Sequence, residues 1–223
     1  MHWHIEDDED ISHFVVPESV VDLQFNIECK LLPVDHAHAL SLAVQQALPW
    51  FADDEVAALH LIHGADSGNG WERPEASDDV IYLSRRTKLI LRLPSERLDD
   101  AMSLIGQRLD VAGNLMVVKQ ATTRQMSVTS SLYSRYAAAA PGEGEELFLQ
   151  RTVSELKGMG ITVKKILCGK EHRLNTPEGD LVTRSLLVAE LTFGDAITLQ
   201  QRGVGAKSHK KLGCGLFIAH KTV

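Results

Sequence analysis

Two histidines, His36 and His38, lie where the first predicted helix begins, in the segment LPVDHAHAL, with Asp35 as the predicted N-cap. A histidine side chain ordinarily titrates near pH ~6.5, so it can give or take a proton at neutral pH. The start of a helix also presents free N–H groups and the positive end of the helix dipole, which attract phosphate. This placement suits acid–base chemistry on a phosphate ester. Two surface histidines on a helix are the simpler interpretation.

A glycine-rich, basic segment near the C-terminus, GVGAKSHKKLGCG, could bind an anion. Glycines let a backbone approach a ligand closely, and exposed N–H groups form a nest for anions. The spacing excludes a Walker-type phosphate loop and a dinucleotide-binding fingerprint. A flexible approach to a hairpin, with solvated lysines, is the structural alternative. The residues concerned are Gly203, Gly205, Gly213 and Gly215 together with Lys207, His209, Lys210 and Lys211.

A third candidate is the basic strand SRRTKLILR, in which Arg86, Lys88 and Arg92 are predicted to share one face. Such a face can bind a nucleic-acid backbone, although a solvated face is more common. Aromatic residues make up only 5% of the chain. Binding of single-stranded RNA by stacking uses several aromatics on a sheet face, and here only Tyr133 and Tyr136 indicate one.

No metal or cofactor site is predicted. The three cysteines, Cys29, Cys168 and Cys214, are far apart, and the ten histidines show no zinc-type spacing. The nearest approaches are His60 with His63 and His2 with His4, and neither pair has a cysteine nearby. Scattered cysteines, odd in number, suit a reducing compartment such as the cytoplasm better than a disulfide framework. No run approaches the ~20 apolar residues that span a membrane, and the acidic N-terminus does not resemble a signal peptide.

Charge is distributed unequally along the 223 residues, whose net charge is −7. Residues 1–149 contain 11 Lys+Arg and 24 Asp+Glu, a charge of −13, whereas residues 150–223 contain 12 and 6, a charge of +6. A basic C-terminal third can carry a polyanion site while the rest of the chain stays acidic. The overall pI of 5.8 argues against indiscriminate binding of nucleic acid, because non-specific affinity comes mainly from phosphate neutralisation.

The elements that must position these residues follow a regular order. VDLQFNIEC alternates apolar and polar residues and predicts a half-buried strand, after which a helix continues to Pro49. EVAALHLIHG and DVIYLSRRTKLILRL predict two further strands, joined by a polar loop. A second helix is predicted to begin at Ser95, before a fourth strand, LMVV. Its predicted inner face carries Leu98, Ala101, Met102, Ile105 and Leu109.

The second half repeats this order. SVTSSLYSRYA predicts a strand, a helix continues to Met159, and ITVKKILCG and LVTRSLLVAELTF predict strands joined by a turn-rich loop, HRLNTPEGD. DAITLQQRG predicts a short helix and GLFIAHK a last strand. Strand, helix, two strands, helix and strand make the ferredoxin-like βαββαβ unit. We therefore predict an α+β protein of two tandem ferredoxin-like domains. Residues 1–125 carry the candidate histidines, and residues 126–223 carry the glycine-rich segment.

Taken together, these motifs resemble the CRISPR repeat-RNA-processing endoribonucleases, which belong to the repeat-associated superfamily of RNA-binding proteins. GVGAKSHKKLGCGLF is similar to the glycine-rich loop of that family. LPVDHAHAL, LHLIHG and SRRTKLILRLP are similar to a small bacterial branch associated with type I systems. The resemblance covers roughly residues 20–221, and the order of all four motifs carries it.

The resemblance implies a metal-independent cut within a CRISPR repeat RNA, usually beside a stem-loop, with no cofactor. The ribose 2′-OH attacks the adjacent phosphate, so the reaction needs a base, an acid and cations for the phosphorane charge. His36 matches the family's catalytic histidine, and His38 is the second candidate. RNA binding is expected from the glycine-rich segment and from Arg86 and Lys88. Implied partners are the repeat RNA and subunits of a type I, Cascade-like effector complex in the cytoplasm.

Two other functions stay open. A non-catalytic subunit of the same superfamily would hold guide RNA within an effector complex without cutting it. A pair of ferredoxin-like regulatory domains would bind a small metabolite in a ligand-sized apolar pocket rather than in a basic groove. The unequal charge of the two parts of the chain disfavours the metabolite-binding alternative.

Overall fold

The computed structural model describes residues 14–64 and 79–220 of the chain. The acidic N-terminus and nearly all of the predicted polar loop between the second and third strands lie outside the described residues. Within the described part, all strand pairs are antiparallel. None of the described helices is long and apolar enough to cross a membrane.

The first half of the chain forms an antiparallel sheet with helices on one side. Its elements in chain order are β1 (Val20–Glu28), β2 (Leu31–Pro33), α1 (Ala37–Ala47), β3 (Ala58–Leu59), β4 (Val80–Tyr82), β5 (Lys88–Pro94), α2 (Leu98–Met102), β6 (Arg108–Val111) and β7 (Asn114–Arg124). The main sheet has the strand order β3-β5-β1-β7-β6, and β2 pairs with β4 separately. Short 3-10 helices precede β3 and α2.

The second half forms a four-stranded sheet in its described part. Its elements are β8 (Leu132–Ala138), α3 (Glu145–Gly158), β9 (Lys165–Thr176), β10 (Gly179–Ala189), α4 (Phe193–Arg202), α5 (Lys207–Lys211) and β11 (Ile218–Ala219). The strand order is β11-β8-β10-β9.

Both sheets have the ferredoxin-like strand order. The four strands of the unit, in chain order, are β1, β3, β5 and β7 in the first half and β8, β9, β10 and β11 in the second. In each sheet the first of these strands lies between the third and the fourth, and the second lies at an edge. Each sheet has its own hydrophobic core. The prediction of an α+β protein with two tandem ferredoxin-like domains is therefore confirmed, while the boundary between residues 125 and 126 stays a prediction.

The alternation in β1 explains how the first core forms. Leu23 and Phe25 are fully buried, whereas Gln24 between them is only partly buried. Leu40 and Val44, one helical turn apart on α1, are also fully buried in the same core. Burial of each such side chain contributes about 1.5–3 kcal/mol to folding. The predicted half-buried strand and its helix are confirmed.

Two predicted strands of the first half are wrong in extent. Only Ala58–Leu59 of EVAALHLIHG pairs with β5, and the chain then leaves the sheet. The long strand predicted over DVIYLSRRTKLILRL is interrupted by a turn, because the hydroxyls of Ser84 and Thr87 accept hydrogen bonds from the backbone N–H groups of Arg86 and Ser84. Arg86 therefore lies in an exposed turn rather than on the strand face.

The second predicted helix is also wrong in length. Ser95 does not cap it, because its hydroxyl donates to the carbonyl of Glu18, and α2 ends at Met102. Gly106, with φ of +86°, takes the chain into a left-handed turn that a helix cannot continue. Ile105 is 45% exposed, and the predicted inner-face residue Leu109 is instead buried on β6.

The second half differs from the prediction mainly in strand length. Most of HRLNTPEGD, predicted as a loop, is strand, because β9 and β10 form a long hairpin that turns only at Pro177 and Glu178. The predicted last strand is reduced to Ile218–Ala219. The segment between α4 and β11 contains the short helix α5, where only a loop was predicted.

Arg92 joins the first sheet to α4 and to the residue before β11 in the second half. Its side chain is 2% exposed, so the expectation of a solvated basic strand face is wrong at this position. One guanidinium nitrogen donates to the carbonyl oxygens of Gln200 at 2.7 Å and Phe217 at 3.0 Å, both in the second half. Its other nitrogens donate to both carboxylate oxygens of Asp22, at 2.8 and 3.0 Å. Burial would raise the pKa of Asp22, but the charge of Arg92 and the neighbouring His60 outweigh it and hold that pKa well below its usual range.

We expect Arg92→Met to lower the free energy of unfolding at pH 7 by about 3–5 kcal/mol, because it leaves the Asp22 carboxylate buried without its partner. Asp22→Asn in the same background should recover part of this loss, which urea unfolding of the four variants would measure. In the wild type, Asp22 contributes to the free energy of unfolding above the ordinary aspartate pKa, and this contribution is lost as the pH falls below it. Asp22→Asn should therefore weaken the dependence of the free energy of unfolding on pH at acid pH. Additive losses in the double variant would contradict a coupled pair.

Candidate active site

The start of α1 meets the second half of the protein at one place, which we call the seam. Ala37 at the start of α1 packs there in one small apolar cluster with Leu61, Tyr136, Leu174 and Cys214. These residues come from α1, the segment after β3, β8, β9 and the end of the glycine-rich segment. The seam therefore unites the two regions in which the sequence predicted chemistry and phosphate binding.

His36 lies at the seam but is 2% exposed. Its Nδ1 is 2.9 Å from the carbonyl oxygen of Pro33, and its Nε2 is 3.2 Å from the backbone nitrogen of Ile62. Because a carbonyl only accepts and a backbone N–H only donates, this geometry places the ring proton on Nδ1 and the lone pair on Nε2. His36 thus ties the beginning of α1 to the segment that follows β3. Its predicted role in proton transfer stays a prediction.

His38 and Asp35 flank His36 in different ways. His38 lies in the first turn of α1 and is half-buried. Asp35 is not the N-cap as predicted, because His36 occupies that position and no side chain caps the helix. A carboxylate oxygen of Asp35 instead accepts a hydrogen bond from the backbone N–H of Asn175 at 3.0 Å. Asp35 therefore links α1 to β9 of the second half.

Three further side chains that can do chemistry meet at the seam. The ring of Tyr136 lies 6.1 Å from that of His63 and 5.5 Å from that of His172, measured between centroids. Both histidines are partly exposed, whereas Tyr136 is buried. In the sequence, His63 belongs to the pair with His60 considered for metal binding and to the family-like segment LHLIHG, whereas His172 is predicted to lie in a loop. Only the fold shows that a residue after β3 and one on β9 flank the same tyrosine.

A cleft of about 440 Å³ opens between the two sheets beside the seam. We call it the intersheet cleft. Besides the buried Arg92, two arginines line it from opposite sheets, Arg124 on β7 and Arg135 on β8. His63 and Tyr136 also line it, so the seam and the cleft share a wall. His60 also lines the cleft, and its Nε2 is 3.4 Å from a carboxylate oxygen of Asp22. Other residues that line the cleft include Gln24, Ile90, Tyr133 and Ile218.

The glycines of residues 203–215, which we call the glycine loop, allow two parts of the loop to cross. Gly203 and Gly215 have φ of +61° and +72°. Where the two parts cross, the backbone N–H of Val204 donates to the carbonyl of Gly215 at 3.0 Å. A Cβ on Gly215 would overlap the Val204 carbonyl, and one on Gly203 would lie 2.6 Å from the Gly215 carbonyl oxygen. Gly213 packs equally closely on Leu61. The loop needs these glycines for close backbone packing.

The lysines of the glycine loop face the first half of the protein. Lys207 pairs with Glu55 at 2.9 Å, which raises the pKa of Lys207. The ammonium of Lys210 donates to the carbonyls of Glu55 and Arg202, each at 3.1 Å. Lys211 is 3% exposed and donates to the carbonyls of Asp54, at 2.7 Å, and Ala57.

Lys211 is held in a site that disfavours its charge. Burial lowers its pKa to about 8, although its ammonium lies 4.7 Å from the centre of the Phe51 ring. His209, between the lysines, is half-buried, and burial together with the charge of Arg151 lowers its pKa. The structure thus gives all four basic residues of the loop neighbours within the protein, and their predicted role in RNA binding stays a prediction.

The remaining candidates lie apart from the seam. Lys88 is on the same face of β5 as Ile90 of the cleft but donates to the side chain of Asn26. Arg86 is exposed in the preceding turn. Among residues 14–64 and 79–220, no group of three or more His, Cys, Asp or Glu side chains could hold a metal ion. The cysteines are unpaired, and burial raises the pKa of Cys214 to about 12, which makes its thiol unreactive.

Comparison with protein families and curated proteins gives one consistent result. The family model described as "Cas6 Crispr" matches residues 21–222. A protein of Myxococcus xanthus (strain DK1622), named CRISPR-associated endonuclease Cas6, is 23% identical to this chain over 198 residues. The match covers 89% of this chain and 80% of that protein.

Solved structures share the fold. A structure described as a CRISPR associated protein Cas6 has a TM-score of 0.64 at 10% identity and covers 91% of this chain and 100% of its own. A RAMP protein described as binding different RNA substrates has a TM-score of 0.62 at 14% identity, with 90% and 100% coverage. A Cas6-related protein from Pyrococcus furiosus has a TM-score of 0.59 at 12% identity, with 89% and 97% coverage. At these identities the likeness concerns the fold alone.

The crossing of the glycine loop gives a matched pair of substitutions. We expect Gly215→Ala to destabilise the protein strongly, by about 3 kcal/mol or more, because the new methyl group would overlap the Val204 carbonyl at a left-handed φ. Gly205→Ala has a similar φ of +83° but no atom within 4 Å, so it should cost only about 1 kcal/mol. Thermal unfolding would measure both, and equal losses would show that only backbone strain matters.

Proposed function

The chain belongs to the Cas6 family, and on that premise we propose that it is an endoribonuclease that cleaves CRISPR precursor RNA within its repeats to give mature guide RNA. The observation that carries the proposal is the seam, where histidines from both halves lie beside a cleft lined by arginines. A cleavage site of this kind needs proton donors and acceptors next to cations.

The proposed reaction is an internal transesterification without a metal ion. The ribose 2′-oxygen forms a bond to the adjacent phosphorus as its proton passes to a base. The bond from phosphorus to the 5′-oxygen breaks, and an acid protonates that oxygen. The products are a 2′,3′-cyclic phosphate and a 5′-OH. Imidazoles supply both proton transfers at neutral pH, and guanidinium groups stabilise the charge of the phosphorane.

The substrate and its partners are proposed on the same premise. The relative from Myxococcus xanthus is named as a CRISPR-associated endonuclease, which supports cleavage of a CRISPR nucleic acid. We propose that the substrate is the repeat RNA and that it contains a stem-loop. We propose that the protein acts in the cytoplasm, where such RNA is transcribed, and that it joins subunits of a Cascade-like complex. A guide-RNA-binding subunit that does not cut is the second candidate, because the family resemblance rests partly on a fold that RNA-binding proteins share.

We expect the wild type to cleave a repeat transcript in EDTA and to leave a 2′,3′-cyclic phosphate. A single 2′-deoxy substitution at the scissile nucleotide should abolish the cut, because it removes the nucleophile. His36→Ala should lower the single-turnover rate by at least about 10²-fold, and His38→Ala tests the second candidate position. Gel analysis and end-group mapping would measure these effects. If the wild type binds the transcript tightly but does not cut it, the non-catalytic subunit is the better description.

The cleft arginines provide a separate test of RNA binding. We expect Arg124→Ala combined with Arg135→Ala to weaken binding of the 2′-deoxy transcript and to reduce the slope of log Kd against log salt by about 1 to 2. The matched control removes two exposed positive charges from the end of α3 and beyond it, with Lys157→Ala and Lys164→Ala. Equal effects of the two double variants would show that only net charge, and not the cleft, determines affinity.

A further inference from the structure

We propose that His63 and His172 are the two proton-transfer residues, one acting as base and the other as acid, and that His36 is a positioning residue for His63. This inference rests on the proposed function. It assigns proton transfer to two residues for which neither the sequence motifs nor the family resemblance implies that role. The argument has three steps, which concern exposure, position and the contact of His36.

The first step is exposure of the imidazoles. A residue that exchanges protons with RNA must reach the substrate within hydrogen-bond distance. His36 is 2% exposed, and both its ring nitrogens contact backbone groups of the protein. His63 and His172 are partly exposed, and His63 lines the intersheet cleft. Of these three histidines, His63 and His172 are therefore the ones whose side chains are partly open to a bound phosphodiester.

The second step is their position around Tyr136. The two imidazoles lie beside the same aromatic ring, at centroid distances of 6.1 and 5.5 Å. His63 belongs to the first half and His172 to β9 of the second half, so they approach the ring from different elements. In-line transesterification needs a base near the 2′-oxygen and an acid near the departing 5′-oxygen, on opposite sides of the phosphorus. A phosphate bound beside Tyr136 would therefore lie near both imidazoles, and we assign one of them to each of these two oxygens.

The third step is the contact between His36 and Ile62. The lone pair of His36 Nε2 accepts a hydrogen bond from the N–H of Ile62, the residue next to His63. The last backbone hydrogen bond to β5 is from the N–H of His60 to the carbonyl of Ile90, so β-ladder hydrogen bonds do not fix the path of residues 61–63. His36 therefore supplies a tertiary anchor for the backbone that carries His63. Loss of His36 would lower activity although His36 itself does not touch the substrate.

The chemical step balances with these two residues. His63 or His172, as a neutral imidazole, accepts the 2′-OH proton while the new oxygen–phosphorus bond forms. The other, as an imidazolium, gives its proton to the 5′-oxygen while the old bond breaks. The two residues exchange protonation states, and solvent restores them after product release. Arg135, which lines the cleft one residue from Tyr136, is placed to stabilise the negative charge of the phosphorane.

The test compares single-turnover cleavage at saturating repeat RNA. We expect His63→Ala and His172→Ala each to lower the rate constant by about 10²–10⁴-fold. Binding of the 2′-deoxy transcript and the unfolding midpoint should stay close to those of the wild type. A substrate with sulfur in place of the scissile 5′-oxygen should restore most of the rate in the acid variant alone, because a thiolate leaves without protonation. The matched control is His220→Ala, which should cleave normally. It removes an exposed histidine that lies beside Tyr133, a different tyrosine of β8.

The role of His36 is tested by a conservative variant. His36→Gln keeps an acceptor for the Ile62 N–H but cannot transfer protons near neutral pH, so it should retain most of the activity that His36→Ala loses. If His36→Gln is as inactive as His36→Ala while His63→Ala and His172→Ala cleave normally, His36 is itself the proton-transfer residue and the inference is overturned. If the wild type does not cleave at all, the proposed function fails and this assignment fails with it.

Discussion

The docking of the two sheets depends on one buried guanidinium. Arg92 extends from β5, an inner strand of the first sheet, and donates to two backbone carbonyls of the second half, while Asp22 balances its charge. A buried charge of this kind is tolerated only when its hydrogen-bonding capacity is used and an opposite charge is near. Hydrogen bonds are directional, so these partners also fix how the second half is oriented on the first, which apolar packing alone would define less well. The cleft and the seam exist because the sheets are held in this one arrangement.

The basic residues of the chain divide into two groups with different roles. The lysines of the glycine loop contact carbonyls and Glu55 of the first half, so their charge contributes to holding the halves together. The arginines of the intersheet cleft face the space between the sheets. The positive charge of the C-terminal part therefore does not measure its affinity for a polyanion. A guanidinium also suits a phosphate better than an ammonium does, because it offers two parallel hydrogen bonds.

Local patterns predicted the elements of the fold well but not the surroundings of the candidate residues. The alternation in β1 and the helical spacing in α1 are properties of neighbouring residues, so they could be predicted from the sequence. The burial of His36 could not, because it depends on Ile62, which joins α1 only through the tertiary fold. Likewise, the length of the β9–β10 hairpin overrides the turn-forming residues within HRLNTPEGD. The sequence indicated Tyr136 only as a candidate for stacking on RNA, whereas its ring is buried and its histidine neighbours come from distant parts of the sequence.

The composition of the seam has a consequence for how activity could arise. Each half of the chain contributes an incomplete set of side chains: His36 and His63 come from the first, Tyr136 and His172 from the second. Neither half expressed by itself would contain a complete set, even if each folded around its own core. On the proposed assignment of His63 and His172, the two halves form a split system, in which cleavage requires that they dock. An RNA that spans both halves would favour the docked state and so help to assemble the proposed cleavage site.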